Sequence, residues 1–152
     1  MPSLDASRSL TALALASLAA CAGDRASDAG AVSTGLSVNE AWTRPAEAGG
    51  SAAVYLVVRN EGAQADTLRA IHSDAAPEVG MHVSLERNNT MRMVPVGWLT
   101  VSASDSLVFR PLGTHVMLQG LRTSIKGGDT LRITLDFASG TTIAVPVIVR
   151  EH

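Results

Sequence analysis

The sequence has little charge, a single cysteine and none of the common hydrolase motifs. Charged residues make up 17% of its 152 residues and the formal net charge is -2, so no basic stripe is present that could follow a phosphate backbone, and nucleic acid is not an expected partner. Neither G-x-S-x-G nor H-E-x-x-H occurs, and no pattern places a base beside a nucleophile, so we do not predict an enzyme. The length and the hydrophobic content of 46% predict one modest domain with its own core.

The only cysteine, Cys21, directly follows an apolar N-terminal segment. Residues 1–20 carry Arg8 in a polar head and then an apolar run too short to span a bilayer, which is typical of a secretory signal peptide. Leu18-Ala19-Ala20-Cys21 resembles the bacterial lipobox, in which the cysteine is lipidated and becomes the first residue of the mature protein. We predict a lipoprotein signal peptide at residues 1–20, a lipid on Cys21, and a membrane-anchored protein in the periplasm or another extracytoplasmic space. The alternative is that Cys21 is an ordinary small residue beside a cleavage site.

Lipidation would consume the only thiol of the chain. The folded part could then contain no disulfide, no cysteine nucleophile and no thiolate metal site, which excludes a blue-copper electron-transfer centre because that centre needs a cysteine ligand. After Cys21, residues up to 36 are mostly small and polar and lack periodicity, as in a flexible tether. We therefore predict a lipidated tether at residues 21–36 and one domain at residues 37–152.

Short aliphatic and β-branched runs, separated by turn residues, predict an all-β domain. Leu131, Ile133, Leu135 and Phe137 alternate with polar residues, which indicates a strand with one buried face and is typical of an antiparallel sheet. The predicted strands suggest a sandwich or a barrel, and they cover residues 51–59, 66–71, 81–86, 91–96, 106–109, 114–119, 129–137 and 141–149.

His115 and Met117 lie two residues apart in a predicted strand, so both project from the same face. This pair alone is more typical of core packing than of a metal site. With further donors nearby, however, the two side chains could point at one common ion.

A second group of such donors flanks Asn88-Asn89, which is a turn signal. If these asparagines form a two-residue hairpin loop, residues whose numbers sum to 177 pair, and His82 lies diagonal to Met93 at roughly 7 Å. Met91 shares that face, whereas a three-residue loop would reverse the arrangement. Thioether sulfur is a soft, neutral donor that favours copper(I), and imidazole adds affinity, so the combined set predicts a copper(I) site.

The spacing His82-x10-Met93-x21-His115-x-Met117 resembles the signature of the periplasmic copper chaperones called PCuAC. The segments AWTRP (41–45), AAVYLVVRNEG (52–62), LGTHVMLQGL (112–121) and GDTLRITLDF (128–137) are also similar to that family's strand sequences, and the resemblance covers residues 37 to about 149. The family commonly has two glycines before the second histidine, whereas this chain has Leu112-Gly113-Thr114.

The resemblance implies a cupredoxin-like fold, an antiparallel Greek-key barrel or sandwich. It implies that His82, Met93, His115 and Met117 bind copper(I), with Met91 in reserve, and that the protein is not an enzyme but a metallochaperone. In that family the copper is carried toward the dinuclear copper centre of cytochrome c oxidase. The implied partner is a protein that accepts or donates copper, such as subunit II of that oxidase or another assembly factor.

Two other functions remain open at this stage. A scavenging or resistance protein could use the same four ligands only to sequester copper. A β-sandwich interaction module could instead bury these histidines and methionines as core, with no metal.

Overall fold

The computed structural model describes residues 35–151, and all regular secondary structure in this part of the chain is β-strand. No helix long and apolar enough to cross a membrane occurs among these residues. The predicted signal peptide, Cys21 and nearly all of the predicted tether lie outside the described residues. The strands are β1 (Leu36–Thr43), β2 (Ser51–Asn60), β3 (Asp66–His72), β4 (Glu78–Arg87), β5 (Thr90–Val96), β6 (Leu99–Val101), β7 (Asp105–Phe109), β8 (Thr114–Gln119), β9 (Thr130–Phe137) and β10 (Thr142–Val149).

The strands form one mixed sheet in the order β5-β4-β8-β2-β1-β10-β9-β3-β6, with β7 also paired to β2. The all-β prediction is confirmed, although the sheet is mixed and not purely antiparallel, since β1 and β10 run parallel. Of the sandwich and the barrel that the sequence suggested, the described strands do not form a closed barrel, because the sheet order ends at β5 and β6.

One hydrophobic core draws its residues from strands throughout this sheet. Alternation in β2 buries Val54, Leu56 and Val58, and the alternation predicted for β9 buries Ile133 and Leu135. β8 contributes Val116 and Leu118 to the same core, so the alternate residues of β8 face away from it. Those alternate residues are His115 and Met117.

All eight predicted strands are present, as β2 to β5 and β7 to β10, while β1 and β6 were missed. β1 contains the polar pair Asn39 and Glu40, and a bulge between Asn39 and Trp42 interrupts its pairing with β2. Glu40 has a φ of 55°, a conformation that a strand pattern does not anticipate. β6 has only three residues, too few to show a period.

The hairpin of β4 and β5 has the predicted two-residue loop. Asn88 and Asn89 have φ values of 50° and 56°, which is the left-handed conformation that both positions of a type I′ turn require. Arg87 therefore pairs with Thr90, and the register puts Met93 opposite Ser84. The predicted register is confirmed, so Met93 lies on the same face of the sheet as His82.

Candidate metal centre

The two histidines of the predicted site are direct cross-strand neighbours. The antiparallel pairing of β4 with β8 puts His82 opposite His115. Their ring centroids are 6.0 Å apart and the ring planes differ by 19°. Residues opposite each other on antiparallel strands project to the same side, so both imidazoles stand on the sheet face that points away from the core.

Met117 extends this pair along β8. It is half-buried, and its partner on β4 is Gly80, two residues before His82. Because Gly80 has no side chain, nothing on β4 covers the surface directly opposite the methionine. His82, His115 and Met117 thus share one face within two adjacent rows of the sheet.

Met93 borders the site from the other side. It pairs with Ser84, the next residue of β4 on the same face after His82, and its side chain is 59% exposed. Met91 lies on this face as well, but it pairs with Glu86 near the hairpin end, one row further from the histidines. The arrangement places Met93 next to the pair and leaves Met91 at a distance.

A loop between β7 and β8 holds His115 in position. Both strands pair with β2, because Phe109 lies opposite Leu56 and Val116 lies opposite Val54. The residues between Phe109 and Val116 are too many to pair with the short piece of β2 between these positions, so the chain forms a loop there. The loop is closed by hydrogen bonds from Arg110 N–H to Thr114 O, 2.8 Å, and from Gly113 N–H to Arg110 O, 3.1 Å. His115 follows directly after it.

The carbonyl oxygen of Gly113 determines which nitrogen of His115 carries the proton. It lies 3.0 Å from His115 Nδ1 and also accepts a hydrogen bond from Ser84 N–H at 3.1 Å. A carbonyl can only accept, so Nδ1 must be the donor, and Nε2 of the same ring keeps its free lone pair. A metal-binding histidine is usually oriented in this way, with one nitrogen held and the other available. The side chain is 4% exposed, which restricts the ring further.

His82 is held differently. Among the described residues, its Nδ1 is the one buried side-chain nitrogen or oxygen without a hydrogen-bond partner. Buried polar atoms are nearly always paired, so an unpaired one indicates a missing ligand, ion or water. The lone pair of His82 Nδ1 could therefore bind a cation in place of a hydrogen-bond donor.

The chemistry of the set favours a soft ion. In residues 35–151, no three side chains of His, Cys, Asp and Glu come together, so the thioethers are the donors that the predicted site adds to the two imidazoles. Two neutral nitrogens with one or two thioethers suit copper(I) better than hard ions such as magnesium or calcium. The residues present fit copper(I).

His72, a further histidine of the chain, lies outside this site. It is 67% exposed at the end of β3, and its Nε2 is 3.0 Å from Asp136 Oδ2. Sequence reasoning missed Gly80, and it noted Gly113 only as a departure from the family's glycine pair, without the role of its carbonyl oxygen. Gly80 carried a usable signal, because a glycine inside a strand often marks a place where a ligand or another chain segment comes close.

Comparisons with known proteins agree with this fold. The family model LpqE-like, described as "Putative lipoprotein LpqE-like", matches residues 36–149. A curated relative, "Putative lipoprotein Lxx21020" from Leifsonia xyli subsp. xyli (strain CTCB07), is 32% identical over 119 residues, which are 77% of this chain and 70% of the relative.

Solved structures with similar folds include copper-bound forms. The copper-bound PCuAC domain from PmoF2 has a TM-score of 0.65 at 19% identity and covers 78% of this chain and 94% of that domain, which shows the fold. Apo-DR1885 from Deinococcus radiodurans has a TM-score of 0.62 at 27% identity over 100% of this chain and 95% of that one. The copper(I) form of DR1885 has a TM-score of 0.57 at 27% identity, covering 82% and 86% of the two chains.

The expectation of a PCuAC-type, cupredoxin-like fold is thus confirmed. The family model spans every described strand, from the start of β1 to the end of β10. The chain belongs to the LpqE-like family.

Proposed function

We propose that this protein is a non-enzymatic copper(I) carrier that binds one ion as cargo between His82, Met93, His115 and Met117. The observation that carries the proposal is the opposed histidine pair, one ring held by a backbone carbonyl and the other with a buried, unpartnered nitrogen. The likeness to copper-bound and copper(I) structures supports the choice of ion.

Each donor has a distinct part in holding the ion. His115 is the anchor, because its ring is buried and its tautomer is set by Gly113 O. Met117 adds a thioether from the same strand, and His82 adds the second imidazole from β4. These donors are neutral, so the ion keeps its charge and is held without a thiolate that oxidation could destroy.

Met93 is the ligand at which exchange with a partner begins. It is the most exposed of the four and lies on β5, which is the end strand of the sheet formed by residues 35–151. A donor from an acceptor protein can displace this thioether first, while the buried His115 still holds the ion. That asymmetry favours a carrier over a protein that only sequesters copper, for which a closed site would serve better.

The cellular setting follows from the N-terminal segment and the family. Lipidation of Cys21 would anchor the protein outside the cytoplasm, and the residues up to β1 would serve as the tether. Within its reach, the acceptor is a protein with a copper site, for which the dinuclear centre of cytochrome c oxidase is our first candidate. The supporting facts are the lipobox-like sequence and the lipoprotein description of the family.

A copper(I) titration tests the binding step. We would use the chain from residue 21 onward with Cys21→Ser, so that no thiol binds copper, and a competing chelator under anaerobic conditions. We expect one tight equivalent, with affinity at least about tenfold lower in both His115→Ala and Met117→Leu. Matched controls are His72→Ala and Met81→Leu, because His72 is exposed elsewhere and Met81 packs in the core. Equal losses in targets and controls would contradict the proposed site.

A transfer experiment separates the carrier from the sequestering protein. The copper-loaded protein is mixed with the soluble copper domain of oxidase subunit II, and the metal content of each is measured over time. A carrier transfers its ion to the acceptor. The rate of this transfer exceeds the rate at which copper dissociates from the protein without an acceptor. Retention of copper at equilibrium by this protein would favour sequestration.

A further inference from the structure

The two histidines of the site differ in the surroundings of Nδ1. In His115 this nitrogen donates to Gly113 O at 3.0 Å, so only Nε2 is free to bind an ion. In His82 the same nitrogen is buried and meets no acceptor. The two rings face each other across the strands, yet their hydrogen bonding is not equivalent.

This difference has a consequence for the way in which His82 can bind a metal. A histidine that binds through one nitrogen carries its proton on the other, and that N–H needs an acceptor. If His82 bound through Nε2, its Nδ1–H would be buried with none. If it binds through Nδ1, the ion takes the place of the hydrogen-bond partner and the proton stays on Nε2. Unlike Nδ1, Nε2 is not buried without a hydrogen-bond partner.

Gly80 provides the space for binding on the Nδ1 side. It precedes His82 by two residues on the same strand face. Because it is glycine, no side chain from this position stands beside the imidazole. A Cβ at this position would lie 3.4 Å from His82 Cε1 and 3.9 Å from Nδ1. Any residue other than glycine would therefore occupy the volume next to this edge of the ring, on the row shared with Met117.

We propose that the two histidines bind copper(I) through different ring nitrogens, Nδ1 of His82 and Nε2 of His115, and that Gly80 is the positioning residue whose missing side chain leaves room for the ion beside Nδ1. This inference rests on the proposed copper(I) function. It adds to that function the identity of the ligand atoms and a requirement for glycine at position 80.

The ligand atoms can be read directly from the wild-type protein by NMR. We would label the histidine rings with ¹⁵N and record long-range nitrogen–proton spectra before and after adding copper(I) alone. The expected result is that Nδ1 of His82 and Nε2 of His115 shift on binding while the other nitrogen of each ring keeps its proton. Binding through Nε2 in both rings would overturn the inference and leave the proposed function standing. No shift in either ring would overturn both.

Substitution of Gly80 gives an independent test. Gly80→Ala adds a methyl group at ordinary contact distances from the ring, so the fold should tolerate it, but a metal–nitrogen bond of about 2 Å leaves the ion no room on that side. We expect copper(I) affinity to fall about tenfold or more, with an unchanged melting temperature of the metal-free protein.

Gly97→Ala is the matched control for this substitution. A Cβ at Gly97 meets nothing within 4 Å, so the same methyl group should leave both affinity and stability unchanged. An affinity in Gly80→Ala equal to that in Gly97→Ala would overturn the positioning role of Gly80. A bulkier Gly80→Val should weaken binding further than alanine does.

Discussion

β9 and β5 have eight and seven residues, but they serve the molecule in opposite ways. β9 is paired on both sides, and its alternation buries Ile133 and Leu135 completely. Among the described strands β5 is paired only with β4, and Met91, Met93 and Val94 all leave large parts of their side chains in solvent. The comparison teaches that apolar residues on β9 stabilise the fold, whereas the thioethers on β5 contribute little to it and are free for another task.

Truncation in β9 should have the largest effect on stability. Leu135→Ala removes a fully buried side chain, and we expect the free energy of unfolding to fall by about 2–5 kcal/mol because a cavity remains. Val94→Ala on β5 should change it by less than about 0.5 kcal/mol. Urea denaturation of both variants measures the difference, and similar losses would remove the distinction between the strands.

The hairpin loop should be the next most sensitive point, since it sets the register of β5. Asn88→Val places a β-branched residue at a φ of 50°, which should cost about 1–2 kcal/mol locally. Hydrogen exchange of the β4 and β5 amides would report the loosening, together with weaker copper(I) binding. Asn89→Gly is the control, because glycine adopts this conformation without strain. Equal exchange rates in the two variants would show that the loop does not constrain the strand.

Asp66, at the start of β3, connects this strand to Ser139 through a hydrogen bond that its carboxylate accepts. Burial tends to raise the pKa of its carboxyl, but hydrogen bonds from Ser139 and from the backbone of Thr67, together with the charge of Arg69, outweigh it, so the pKa lies below its usual value of 3.8. A carboxyl with a lower pKa in the folded state contributes stability that is present above the unfolded pKa and lost as the pH falls through the folded pKa.

Asp66→Asn should therefore destabilise the protein by about 1 kcal/mol at pH 7, and by less as the pH is lowered below 4. Chemical denaturation at several pH values measures this difference. Asp105→Asn is the matched control, because Asp105 begins β7 in the same way but, within residues 35–151, its carboxylate accepts a hydrogen bond only from the adjacent Ser106 N–H, at 2.7 Å. A pH dependence of equal size in both variants would assign the effect to general charge and not to the link with Ser139.

The smallest effect on stability is expected at Met93. Met93→Leu keeps the apolar volume and removes the sulfur, so the free energy of unfolding should change by less than about 0.5 kcal/mol. Copper(I) affinity should nevertheless fall about tenfold, and transfer to an acceptor should change with it. Met81→Leu, at a buried core position, should leave affinity unaltered. Unchanged binding in Met93→Leu would make Met93 a surface residue and return Met91 to consideration.

Most of the strands could be predicted because their signal is local. Period-2 alternation identified β9, and Asn88-Asn89 identified both the turn and the register of the β4–β5 hairpin. β1 was missed because its bulge and the left-handed Glu40 break that alternation. The parallel pairing of β1 with β10 joins the first and last strands of the domain, a relation without any local signal.

The amino-acid sequence alone determined the donor types, the shared face of His115 with Met117, and the side of the hairpin on which Met93 lies. These follow from side-chain chemistry and from the alternation of a strand, which depend only on neighbouring residues. The tertiary structure alone decided that β4 pairs with β8, that His82 faces His115, and that Gly113 O and Gly80 make the two rings inequivalent. Such relations join residues that are distant in the chain, and they are settled only when the strands pack on a common core.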